Sequence, residues 1–148
     1  MVKFNFTIDI QAAPGEVFDW IRDPEKARQW MTSVGETEML SGEPNEVGST
    51  FREVVSNGQG GTELYGEVTG YRENERFSFR LSGQFNIVDV AFRVEGIGER
   101  TRVTWSADMR FRSVMKVASL VFASKLRREI TAQSEKELAG LKALCESS

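Results

Sequence analysis

The stretch SVMKVASLVFASKLRREITAQSEKELAGLKALC, Ser113 to Cys145, decides how the remainder of the chain must fold. It contains no proline and a single glycine, Gly140, so it is predicted to form one long helix. At about 1.5 Å per residue such a helix would span roughly 50 Å, and it needs a surface to lie on. In its second half Leu126, Ile130, Leu138, Leu141 and Cys145 share one broad face. Arg128, Glu129, Glu135, Lys136 and Lys142 point elsewhere, so this half is amphipathic. The first half differs, because Val114, Met115, Val117, Ala118, Leu120, Val121 and Phe122 surround the axis and demand cover on more than one side.

The upstream residues supply that cover. Lys3 to Gln11 alternates, with Phe4, Phe6, Ile8 and Ile10 on one face, as in a half-buried strand. Pro14 and Glu16 then open a short helix whose inner residues are Val17, Phe18 and Ile21. Asp23-Pro24 breaks it and starts a second helix ending near Trp30 and Met31. From Thr32 to Arg112 the signals are strand and turn: Gly35–Leu40, Ser49–Val55, Thr62–Tyr71, Arg76–Leu81, Phe85–Glu95 and Thr101–Arg112. Gly66 and Gly70 inside the third of these predict a bulge or sharp bend. Turns are expected at Gly42-Glu43-Pro44-Asn45, around Gly58-Gln59-Gly60-Gly61, and at Gly96-Ile97-Gly98. The order is an α+β fold: a curved antiparallel sheet of about seven strands, two short helices after strand 1, and a long C-terminal helix packed over the sheet. Residues 1–148 read as one domain, with no linker or repeat.

Composition narrows the chemistry. The chain is 40% hydrophobic and 28% charged with net charge −3, an ordinary globular balance that speaks against nucleic acid as a partner. No apolar run is long enough to span a membrane, the N-terminus has a strand pattern, and one cysteine fits a reducing compartment; a cytoplasmic protein without stable membrane insertion is expected. There is no histidine, which excludes His-based acid–base catalysis, Ser-His and Cys-His pairs and the commonest zinc sites. No metal and no cofactor are expected.

Several stretches taken in order resemble the START-like superfamily, of which the birch pollen allergen fold is the best known, and within it the polyketide cyclase/dehydrase and lipid-transport family. They are Ile8-Asp9-Ile10-Gln11-Ala12-Ala13-Pro14-Gly15-Glu16-Val17-Phe18, Asp23-Pro24 followed by Trp30, Thr101-Arg102-Val103-Thr104-Trp105, and Glu137-Leu138-Ala139-Gly140-Leu141-Lys142. The resemblance implies a helix-grip architecture with an apolar cavity between sheet and terminal helix. It implies a container for lipids, polyketides or other aromatics more firmly than it implies a reaction.

The residues expected to line such a cavity are Trp30, Phe51, Phe79, Val90, Phe92, Trp105, Met109, Met115, Phe122 and Leu126, read against the plainer alternative that they are core. Glu53 shares the alternation of Phe51 and Val55, so its carboxyl sits in the cavity or at a wet rim. Tyr65 and Tyr71 share one alternation and could offer hydroxyls, and Arg127 and Glu137 lie towards the apolar side of the terminal helix. Arg110, Arg112 and Lys116 form a basic rim, and Cys145, lacking a partner base, reads as non-catalytic. Binding or transport of a hydrophobic small molecule is the first reading. The second is a cyclase, aromatase or dehydratase using Glu53, Tyr65 or Arg127. The third is a module that dimerises or meets a membrane or client protein through Val114 to Phe122.

Overall fold

The structure, a computed structural model, describes residues 2–56, 61–84, 86–112 and 123–147. Strand β1 (Val2–Ile10) is followed by helices α1 (Pro14–Arg22) and α2 (Pro24–Trp30). Six strands come next: β2 (Val34–Ser41), β3 (Thr50–Ser56), β4 (Gly61–Arg72), β5 (Arg76–Ser82), β6 (Asn86–Ile97) and β7 (Arg100–Phe111); helix α3 (Ala123–Ser147) closes the chain. The strands form one curved antiparallel sheet in the order β1-β7-β6-β5-β4-β3-β2. Residues 113–122, the expected first half of the terminal helix, lie outside the described residues, as does the expected turn at 57–60.

Local chemistry sets the elements. Pro14 fills the first turn of α1, and Asp23 ends that helix while its Oδ1 accepts from the backbone N–H of Glu25 at 2.9 Å, capping α2. The β6–β7 hairpin departs from expectation. Pairing continues to Ile97 opposite Arg100, so the turn is Gly98-Glu99, and Gly98 takes the left-handed φ of 63° that such a tight turn requires.

The core lies between the inner face of the sheet and the helices. Val17, Phe18 and Ile21 of α1 are buried with Phe77, Phe79, Phe92, Val94 and Val103. Helix α3 contributes Leu138, Leu141 and Cys145, all under 4% exposed, where it packs against β1, α1 and α2. It rises alongside β1 in the same direction: Arg127 Nη1 donates to the Lys3 carbonyl at 3.1 Å, Lys142 Nζ to the Asp9 carbonyl at 3.0 Å, and Glu146 accepts from the Gln11 N–H at 2.8 Å. These bonds cover polar groups of an edge strand that would otherwise invite another chain.

Candidate functional site

Strand order obliges the chain to cross the whole sheet after β1, because β2 lies at the opposite edge. Helices α1 and α2 make that crossing, and a pocket remains between them and the inner faces of β2 to β6. Its wall is apolar, with Ile21, Met31, Phe51, Val68, Phe77 and Phe79 prominent. Its volume is about 50 Å³, room for a few waters at roughly 10–15 Å³ each. Met31 and Met39 also line it, and the unbranched thioether is the most adaptable of apolar side chains. Larger, more open concavities exist, such as one of about 550 Å³ on the outer face among Lys3, Asn5, Arg80, Asp89 and Asp108. There Arg80 already pairs with Asp89 at 2.6 Å, and a greasy guest finds no shelter.

Four polar side chains reach the inner pocket: Thr37, Glu53, Arg22 and Arg28. Glu53 stands in β3 opposite Thr37 and Leu64, on the inward side of the alternation that sends Arg52 outward to Glu36, Glu38 and Glu63. Burial pushes its carboxyl up to about 7. The two arginines come from the helices. Arg22 Nη2 meets Asp19 at 2.6 Å, and Arg28 Nη2 meets Glu25 at 2.8 Å. The Nε–H of Arg28 is buried with no acceptor among the described residues.

The expected lining set divides. Phe51, Phe79 and Phe92 line this pocket. Trp30 and Trp105 do not; with Phe92 they form an aromatic pillar, Trp105 stacked on Phe92 at 5.2 Å and Trp30 edge-on to both, while Trp30 Nε1 donates to the Trp20 carbonyl at 2.9 Å. Val90 is buried in the same core, and Met109 and Leu126 are half-buried away from the pocket. Met115 and Phe122 lie outside the described residues.

The three proton-transfer candidates are not brought together. Tyr65 is 53% exposed on the outer face, its hydroxyl bonded to Glu63. Arg127 sits at the far edge, its guanidinium 5.0 Å from the Phe4 ring centre. Tyr65 and Tyr71 face opposite ways, because the ladder shifts between Val68 and Gly70 and the extra residue reverses the alternation. Tyr71 therefore packs inward against Phe18 and Phe77. Glu137, read as a residue that could reach a ligand, is buried and accepts from the Ser33 N–H, Ser33 Oγ and Gln133 Nε2 at 3.1, 2.9 and 2.9 Å. Of the basic rim, Arg110 pairs with Asp89 and Arg112 donates to the Gly83 carbonyl; Lys116 lies outside the described residues.

The helical wall of the pocket was missed, though its signal was present. Pro24, Ala27, Arg28 and Met31 follow the spacing that sets residues on one helical side, small or apolar apart from Arg28.

Comparison with known families decides the kinship. The family described as polyketide cyclase/dehydrase and lipid transport matches residues 1–146. The chain belongs to this family. Similar solved structures include TTHA0849 from Thermus thermophilus, at 17% identity and TM-score 0.79 over 96% of this chain and 95% of that one. Ara h 8.0201 is similar at 9% identity and TM-score 0.77, over 99% of both chains. DynU16, a protein of the dynemicin biosynthetic locus, is 22% identical with TM-score 0.67, over 95% of this chain and 46% of that one. At such identities the likeness is one of fold. No curated protein matches the chain. Among the described residues no helix is long and apolar enough to cross a membrane, and no cluster of His, Cys, Asp or Glu could hold a metal ion.

Proposed function

We propose that the protein binds an apolar small molecule in the pocket beneath α1 and α2. One observation carries the reading: aromatic and aliphatic side chains from two helices and five strands converge on a space entered by only four polar groups. Family membership supports the same class of guest. The pocket lies at the helical crossing, and no described residue of α3 lines it. Octanol is a suitable first probe, followed by the methyl resonances of Ile21, Val34 and Val68. Saturable shifts confined to these methyls, lost when Ala27→Phe fills the space, are expected. Octanol that binds nowhere, or binds the filled variant equally well, overturns the reading.

A second reading is favoured by Glu53 alone. A carboxyl in apolar surroundings that titrates at about 7 is suited to give and take a proton, as a cyclisation or water loss needs. On that reading Glu53→Gln keeps ligand affinity and loses turnover on an identified substrate. Retained turnover removes it.

A further inference from the structure

Resting on the reading of this pocket as an apolar ligand site, we propose that its guest is an apolar carboxylate whose charged oxygen is received by Arg28. The two ends of the pocket differ in chemistry. At the helical end Arg28 is held by Glu25 through Nη2, which fixes the plane of the guanidinium. Its Nε–H is buried and finds no acceptor among the described residues. A guanidinium stays ionised at any working pH, so Arg28 is a permanently charged donor in the wall of a mostly apolar pocket. The side chains of Arg28 and Glu25 are 30% and 80% exposed, so solvent screens their pairing and the guanidinium keeps capacity for a second acceptor.

The sheet end carries Glu53. Burial raises its titration, and it forms no ion pair with Arg22 or Arg28, which are held by Asp19 and Glu25. While protonated it tolerates hydrocarbon beside it. A guest with one anionic end and an apolar body matches this polarity, its head on Arg28 and its body along Phe51, Val68 and Phe79. A hydrocarbon leaves the buried Nε–H without an acceptor, an alcohol offers only a neutral one, and an amine places like charge against Arg28.

The experiment compares octanoate, octanol and octylamine on the whole protein at about pH 6, below the titration of Glu53. Affinities come from calorimetry and location from the methyl resonances of Ile21, Val34 and Val68. Octanoate is expected to bind about tenfold or more tighter than octanol, as a charge-assisted hydrogen bond implies. Arg28→Met, which keeps the apolar stem, is expected to bring octanoate down to the level of octanol, whose neutral hydroxyl loses less than the carboxylate. Arg28→Lys, which keeps the charge and loses the planar fork, is expected to retain part of the preference and serves if the first variant does not fold. Equal binding of octanoate and octanol, a preference for octylamine, or a preference that survives Arg28→Met overturns the carboxylate assignment and leaves the apolar pocket standing. Failure of all three probes removes the pocket reading itself, and this assignment with it.

Discussion

Glu53 shows how one side chain ties function to stability. Its carboxyl ionises near its ordinary 4.5 in the unfolded chain and at about 7 in the folded one. Below about 4.5 it is protonated in both states and contributes nothing to pH dependence. Between 4.5 and 7 only the unfolded chain gives up the proton, so stability falls as pH rises, and above 7 the loss is complete at about 3 kcal/mol. Glu53→Gln should therefore leave stability at pH 4.5 nearly unchanged and raise it at pH 8.5 by up to about 3 kcal/mol. Urea unfolding at the two pH values measures this, and parallel pH profiles for both proteins would count against it. Cys145 illustrates the opposite fate of a titratable group. Burial pushes its thiol up to about 12, so it should resist a thiol reagent at neutral pH until urea unfolds the chain, and fast labelling of the native protein would refute this.

At the scale of elements, alternation and turn residues made the strands legible, because period-two burial leaves a direct mark in sequence. The mark fails at the bulge. Gly66 and Gly70 announced an irregularity, and yet which of Tyr65 and Tyr71 faces inward depends on where the extra residue falls, a matter of pairing with β5. Glu53 could be assigned to the inner face from its own strand alone. Arg28 could not be assigned to the same pocket, because that depends on how α2 lies over the sheet. Glu137 was equally opaque, since its partner Ser33 lies 104 positions away. This carboxylate fastens the α2–β2 connection, next to Met31 and Val34 of the pocket wall, onto α3. Glu137→Ala should cost roughly 1–3 kcal/mol, because it strips the part-buried Ser33 N–H of its acceptor, and Glu137→Gln should cost less. Denaturant midpoints decide this, and an alanine variant as stable as the parent would show that the clamp carries no energy.

At the scale of the molecule, the pocket follows from topology. With β1 and β2 at opposite edges of a seven-stranded sheet, the chain must pass over the inner face between them, and two short helices with a proline-marked break cannot follow a curved surface closely everywhere. Space is left where the aromatic rings of β3 and β5 stand highest, and those rings limit what enters. Phe51 and Phe79 meet edge-on at 5.8 Å, and a Cβ at Gly66 would come within 2.2 Å of the Phe51 ring, so the glycine makes room for it. Capacity and stability are therefore opposed in this wall. Phe79→Ala should destabilise the protein by about 3–5 kcal/mol and enlarge the pocket at the expense of the core. If the space serves a guest, part of that loss should return when naphthalene is added, because a ligand that binds only the folded state stabilises it by mass action. The parent, with its smaller pocket, should gain less. Thermal unfolding of both proteins with and without naphthalene makes the comparison, and equal gains would mean that the aromatic wall does not set the size of what binds.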